Sequence, residues 1–282
     1  MTLRVAVTLP QLGHAASGPA IRRAAVLAEA LGFSDVWVND HISFPLGQTH
    51  PSPYMYDPLL SLATAAAVTE VIGLGGQVTA AYYPPVWLAN ALASLDSLSD
   101  GRLNGVAIGV GWSEGEFAAM GSDFHSRGRR TDEIISILRS CWQGAVTSFE
   151  GEFYSYPPLK ILPQPAHPIP LWPSGWGDAA LRRAIALGDG FHGGSNRDAD
   201  AAMPDMARRL RAERPDTQSF TVSMYTHAWD PADVDAEAIR QQRDVYETAG
   251  IQHIVAALSR RDIESWLTSM ETLAGIVDLV PR

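Results

Sequence analysis

The stretch from Val71 to Gly111, VIGLGGQVTAAYYPPVWLANALASLDSLSDGRLNGVAIGVG, holds one strand–helix–strand passage. Val71–Val78 is short, apolar and unusually glycine-rich, which predicts a strand. Pro85–Leu98 reads as the following helix, closed by Ser99-Asp100-Gly101. Leu103–Val110 predicts the next strand, ending in Gly109-Val110-Gly111. The same alternation runs outward in both directions. Upstream, strands are expected at Leu3–Leu9 and Asp35–Val38, with helices at Pro19–Leu31 and Asp57–Thr69. Asp57 can cap the second of these and Pro58 suits its first turn. Downstream, a helix is expected at Arg129–Trp142, then strands at Ile169–Trp172, Gly190–His192, Phe220–His227 and Ile251–Leu258. Their helices fall at Asp178–Leu187, Asp198–Glu213, Asp235–Thr248 and Arg261–Leu273. Eight such units in one chain predict a (β/α)8 TIM barrel, an α/β fold of one domain spanning residues 1–282. The rhythm breaks at about residues 143–168, where glycines and prolines mark an insertion between the strand-four and strand-five units. It holds a small hairpin around Glu150-Gly151.

Composition narrows the function classes. Among 282 residues, 21 Lys and Arg stand against 31 Asp and Glu, a net charge of −10. That balance argues against a nucleic-acid or anionic-lipid surface. A lone cysteine, Cys141, leaves no intramolecular disulfide and fits a reducing cytoplasm. No segment is apolar for long enough to suggest a membrane helix, and no secretory leader is read at the N-terminus. The metal-ligand spacings His-x-x-x-His and Glu-x-x-His are not seen near the strand ends, so no metal site is expected. There is also no Gly-x-Gly-x-x-Gly after the first strand and no Gly-x-Ser-x-Gly elbow.

In a barrel of this kind, chemistry sits on the loops after the strands. Asp40-His41 follows strand two, and an imidazole there suits general acid–base work. The ordinary alternative is a histidine bonded to a loop carbonyl. Gly75-Gly76 inside strand three marks a bulge or a place where a flat ligand nears the backbone. Ser174-Gly175-Trp176-Gly177 precedes a helix whose free amides can hold a phosphate. Gly194 and Ser195 on the next loop are placed to complete that nest. Trp37, Trp112, Trp172 and Trp176 lie at or near strand ends, where indoles serve either as core or as walls for a planar cofactor.

The run Leu95-Asp96-Ser97-Leu98-Ser99-Asp100-Gly101-Arg102-Leu103 with Gly109-Val110-Gly111-Trp112 resembles the luciferase-like monooxygenase superfamily. Leu9-Pro10-Gln11, Trp37-Val38-Asn39-Asp40-His41, Glu116-Phe117, Arg127-Gly128-Arg129, Pro170-Leu171-Trp172 and Gly188-Asp189-Gly190-Phe191 extend the likeness over nearly the whole chain. Within that superfamily the pattern looks most like the coenzyme F-420-dependent oxidoreductases of actinobacteria. The resemblance implies a deazaflavin at the barrel mouth and hydride transfer to or from a small organic substrate. It places Asp40 and His41 as the catalytic pair. It also implies a strand-three bulge, often with a non-prolyl cis peptide, near Gly76, Gln77 and Val78. Gly109 and Trp112 then lie against the cofactor, and Ser174, Gly175 and Trp176 receive its phosphate. Asp96 and Arg102 are expected to be structural. The alternatives are an FMN-dependent monooxygenase on the same fold and a non-catalytic flavin-binding or deazaflavin-binding protein. A homodimer is allowed, with the 143–168 insertion closing the mouth, packing on the barrel flank or meeting a second copy. Two departures stand out. The family's Arg-His-Pro run is Tyr83-Pro84-Pro85 here. Trp112 takes the place of a glutamate found in the sugar-phosphate dehydrogenases, which argues against glucose 6-phosphate as substrate.

Overall fold

The computed structural model describes residues 3–47, 52, 54–194, 196–216, 218–258 and 260–282, with Arg197 described by its backbone alone. The chain runs β1 (Arg4–Thr8), α1 (Gly18–Leu31), β2 (Asp35–Val38), α2 (Pro58–Ala66), β3 (Gly73–Thr79), α3 (Pro85–Leu98), β4 (Leu103–Gly109), α4 (Glu114–Ala119) and α5 (Arg127–Trp142). There follow β5 (Val146–Glu150), β6 (Ser155–Lys160), β7 (Leu171–Pro173), α6 (Asp178–Leu187), β8 (Gly190–Gly194), α7 (Arg197–Glu213), β9 (Thr221–Thr226), α8 (Ala236–Thr248), β10 (His253–Ala256) and α9 (Ile263–Ile276). Capping explains several helix starts. Ser17, Asp57, Asn196, Asp235 and Asp262 each accept a hydrogen bond from an amide in the first turn of α1, α2, α7, α8 and α9.

Eight strands pair in parallel in the order β7-β4-β3-β2-β1-β10-β9-β8. A bridge between Ser174 and His192 joins the two ends, so the sheet closes into the expected barrel. The helices wrap it and bury the main core against its outer face. Among the described residues no helix is long and apolar enough to cross a membrane.

A second, smaller core of Ala6, Trp37, Ala107, Trp172 and Val255 fills the barrel itself. The Trp37 and Trp172 rings stack with centroids 5.8 Å apart. Both indoles are therefore interior packing and not cofactor walls. Their bulk explains the glycines of the adjoining strands: a side chain on Gly75 would run into Trp37, and one on Gly105 into Trp172. Below and beside the rings runs a buried polar chain. His192 Nδ1 meets Ser223 Oγ at 2.8 Å, Ser223 Oγ meets His253 Nδ1 at 2.8 Å, and His253 Nε2 meets Asp35 Oδ2 at 3.2 Å. Burial pushes the imidazole of His192 down to about 3, so it stays neutral. Burial works against the charge on Asp35, but His253 and Arg4 outweigh it and hold the carboxyl below its usual range.

The insertion is an antiparallel hairpin, β5–β6, laid along α5 on the barrel flank. Ser140 and Thr147 hydroxyls meet at 2.7 Å, Glu133 accepts from the amides of Glu152, Phe153 and Tyr154, and Arg130 lies 4.6 Å over the Phe153 ring. Every one of these contacts is to α5, which is the flank-packing alternative and not the mouth-closing one. Asp96 and Arg102 are structural, as the sequence implies. Asp96 accepts from Leu103 N and Ala166 N, and Arg102 donates to Ala66 O, Ile72 O and Thr69 Oγ1, tying α2 and α3 to β4.

Candidate active site at the barrel mouth

His41 stands on the loop after β2, in a position set by a carboxylate far away in sequence. Its Nδ1 lies 2.8 Å from Glu116 Oε2 on α4. Glu116 is fully buried and also accepts from Ile42 N (3.0 Å), Ser43 N (3.2 Å) and the Tyr82 hydroxyl (3.2 Å). Four donors on one carboxylate offset the cost of burying it. An ionised carboxylate can only accept, so Nδ1 carries the ring proton and Nε2 is left for chemistry. The pull is mutual: Glu116 also pins the backbone of residues 42 and 43 and so shapes the whole loop. Phe44 and Trp112 flank the imidazole, their ring centroids 5.4 and 5.6 Å from it.

Asp40 does not touch His41's ring in this way. It is 2% exposed, and it accepts from Thr79 N at 2.7 Å and the Tyr83 hydroxyl at 2.9 Å. It therefore fastens the β2 loop to the end of β3. Tyr82 and Tyr83 thus hold the two carboxylates without adding a cation. Burial pushes the Asp40 carboxyl up to about 7, although the Thr79 amide and Tyr83 hydroxyl both favour its charged form. In the unfolded chain the same group loses its proton near 3.9, so between about pH 4 and pH 7 the folded state binds more protons. Stability from this group is present at the acid end and is lost as pH rises through 7. Asp40→Asn removes the titration. The unfolding free energy from urea melts should fall by up to about 4 kcal/mol less between those limits than in the wild type. A curve parallel to that of the wild type would show that Asp40 does not hold the extra proton.

The strand-three expectation needs correction. The pairing of β3 with β4 slips between Leu74 and Gly75, at the glycine pair that marks a bulge in the sequence and just before the Gly76-Gln77-Val78 place that the resemblance implies. Among the described residues the one cis peptide is Leu162–Pro163, and the Gly76-Gln77-Val78 bonds are trans. A Cβ on Gly76 would meet Val38 Cγ2 at 2.6 Å and Leu62 Cδ1 at 3.6 Å, so that face looks outward to α2. Val78 is buried in the same outer core. Only Gln77 of the three turns inward. A Cβ on Gly109 would lie 3.2 Å from Gln77 Nε2 and 3.5 Å from Ser174 Oγ. Gln77, Gly109 and Ser174 therefore share one small, closely packed patch at the top of the barrel, where even a single carbon on Gly109 would crowd the Gln77 amide.

The loop after β7 keeps only part of its expected character: the Ser174 and Gly175 amides already donate to Ile108 O at 2.9 Å and His192 O at 3.1 Å, so the expected anion contacts move to the amides after Gly175. Gly175 has φ of +138°, a region closed to other residues, and no side chain caps α6 behind it. Uncapped first-turn amides are what an anion needs. Asp178 would compete for them, but Arg209 holds its carboxylate at 2.7 Å and lowers its pKa. Trp176 is 70% exposed and Trp112 is 58% exposed, so both lie on the rim. The β8 loop is less apt for an anion. Gly194 is buried against the Tyr225 carbonyl, where any side chain would collide, and Asn196 already caps α7. Ser195 lies outside the described residues.

Glu116 is the functional residue that sequence reasoning missed. Its pair Glu116-Phe117 was visible as part of a familiar pattern, but its partner is 75 residues away and the helix carrying it is only six residues long.

The sequence profile of the luciferase-like monooxygenase family matches residues 4–276. An uncharacterised protein of Mycobacterium tuberculosis is 33% identical over 212 residues, covering 69% of this chain and 72% of its own length. An F-420-dependent glucose-6-phosphate dehydrogenase of Beutenbergia cavernae is 35% identical over 170 residues, 59% of this chain and 49% of that protein. Among solved structures, an F-420-dependent secondary alcohol dehydrogenase in complex with an F-420–acetone adduct superposes with a TM-score of 0.80. Its identity is 18%, over 98% of this chain and 99% of that one.

Proposed function

The chain belongs to the luciferase-like monooxygenase family, and from that membership we propose that it is a coenzyme F-420-dependent oxidoreductase acting on a small organic molecule. One of the two relatives and the structural neighbour described above are named for that cofactor, which supports the reading. The observation that carries it is the His41–Glu116 pair, an oriented imidazole at an open barrel mouth. A storage or sensing protein has no use for a proton carrier held by four-fold bonding of its partner.

The residues present suit a deazaflavin. The uncapped N-terminus of α6, with Gly175 ahead of it, offers amides for the phosphate. The patch of Gln77, Gly109 and Ser174 presents polar groups beside backbone at the top of the barrel. When bound, a deazaflavin supplies two-electron hydride chemistry at its central ring carbon and reacts poorly with oxygen. The protein then has to orient the substrate and move one proton. His41 Nε2 takes a proton from a substrate hydroxyl, or returns one to a carbonyl oxygen. Glu116 steadies the imidazolium formed when it takes one. Gln77 and Ser174 would offer polar groups to the cofactor.

Fluorescence titration tests the cofactor. Oxidised F-420 should be quenched or shifted on binding and should bind more tightly than FMN under the same conditions. Tighter binding of FMN would favour the flavin monooxygenase alternative.

A further inference from the structure

Two buried histidines inside the barrel take no part in the chemistry at the mouth. His192 on β8 and His253 on β10 both meet the hydroxyl of Ser223, which is fully buried on β9 between them. Around His253 stand Asp35 from β2 at 3.2 Å, the charge of Arg4 from β1, and the rings of Trp37 from β2 and Trp172 from β7 at 5.5 and 5.4 Å. Asn104 Nδ2 from β4 and Ser34 Oγ each donate to Asp35 at 2.7 Å, so both its oxygens accept. His192 stacks on Trp37 at 5.1 Å. Its Nε2 is buried and has no hydrogen-bond partner among the described residues. A polar atom left in that state costs stability, and folded chains keep few of them.

Each hydrogen along this line has one possible place. The Asp35 carboxylate can only accept, so His253 Nε2 carries a hydrogen. A neutral His253 then has a bare Nδ1, and the Ser223 hydroxyl donates to it. Ser223 Oγ has only lone pairs left for His192, so His192 Nδ1 carries its hydrogen and His192 Nε2 is an acceptor. One hydroxyl hydrogen cannot serve both rings. The two imidazoles are therefore coupled: when one accepts from Ser223, the other has to donate.

We propose that His192, Ser223, His253 and Asp35 form a proton-driven switch inside the barrel. A proton enters at His192 Nε2. The Nδ1–H bond of His192 breaks as a new O–H bond forms on Ser223. The old Ser223 O–H bond breaks as an N–H bond forms on His253 Nδ1. Three hydrogens have become four, and the added charge rests on His253 beside Asp35, which among the described residues is the one carboxylate bonded to either ring. His192 ends neutral, with its hydrogen on Nε2. An acceptor has become a donor. The residue that inverts is the one that bridges to Ser174 and whose carbonyl holds the Gly175 amide at 3.1 Å, so the signal arrives at the seam beside the β7 loop. Burial holds the His253 imidazole below its ordinary range despite Asp35, so the acceptor state belongs to neutral pH and the donor state to acid.

The test follows the ring nitrogens of ligand-free, 15N-histidine-labelled protein by two-bond 1H–15N correlation as pH is stepped down from about 8. At the start His192 should carry its hydrogen on Nδ1 and His253 on Nε2. As His253 takes its second hydrogen, His192 should change to the Nε2–H tautomer with the same midpoint. Ser223→Ala removes the shared hydrogen: His253 should still titrate, and the His192 tautomer should no longer follow it. Ser223→Thr keeps a hydroxyl and should restore the coupling. A His192 tautomer that stays fixed while His253 charges in wild type overturns the proposal, as does coupling that survives in Ser223→Ala. Unfolding of wild type before His253 charges overturns it too, because the switch would then never be thrown in the folded chain. If Ser223→Ala does not fold, the wild-type titration decides alone. With no ligand present, the outcome is independent of the oxidoreductase reading.

Discussion

His41→Ala is expected to lower turnover by about 10²–10⁴-fold, the usual share of a positioned acid–base group. The fold should survive. Glu116 keeps its bonds to Ile42 N, Ser43 N and the Tyr82 hydroxyl, so the loop retains three of its four ties to that carboxylate. F-420 affinity should change little, because neither the β7 loop nor the Gln77–Gly109–Ser174 patch includes His41. The loss should fall on kcat and on kcat/KM together, the signature of a contact made in the transition state. Steady-state kinetics with a matched circular-dichroism melt decide the matter. Wild-type turnover in the folded variant would return His41 to a purely structural role.

Gly175→Val should weaken F-420 binding by about 10- to 100-fold. That is the equivalent of one charge-assisted hydrogen bond at roughly 1.5–3 kcal/mol. Two things act at once. The backbone at φ of +138° strains any residue with a Cβ, and the added carbon would sit 3.3 Å from Ala180 Cβ at the start of α6. Either way the amides move off the anion. Gly188→Val is the control. Its Cβ would lie 2.6 Å from Gly190 O and 2.9 Å from Ala184 O, both backbone, so the damage goes to packing. It should melt earlier yet bind F-420 with near wild-type affinity when folded. Equal affinity in wild type and Gly175→Val, measured on folded protein, would remove the phosphate site from the β7 loop.

Much of this architecture could be read from punctuation. Gly32 after α1, Pro58 opening α2 and Ser99-Asp100-Gly101 after α3 mark where one element ends and another begins, and each proved a boundary. The Asp-His dipeptide and the Ser-Gly-Trp-Gly loop were legible because their neighbours in sequence are their context. Glu116 was not, since its meaning comes from three separate segments: residues 41–43, Tyr82 and α4. The glycines of β3 were legible only in part. Their absent side chains suggest room for a ligand, but the room at Gly75 is filled by Trp37, one strand away in the sheet. A side chain that fills a neighbour's vacancy leaves no periodic trace. The β7 strand, at three residues, was visible mainly because the pattern required something there.

That short strand has a mechanical side. Between β8 and β9 five residue pairs share the load. Where β7 meets β8, the described ties include the Ser174–His192 bridge, the Gly175 amide on the His192 carbonyl, the Asp189 amide on the Leu171 carbonyl and the Leu171 amide on the Asp189 carboxylate. The cylinder is thus hooped unevenly, from five residue pairs at β8–β9 to two at β1–β2, and its last seam is fastened by a short clasp. The clasp lies next to the loop assigned to the cofactor phosphate. An anion seated there would grip the loop that carries one half of the fastening, so occupancy and closure favour each other. Amide hydrogens of Gly175 and Asp189 should therefore be among the first barrel amides to exchange in the unloaded protein, and they should slow most when the ligand arrives.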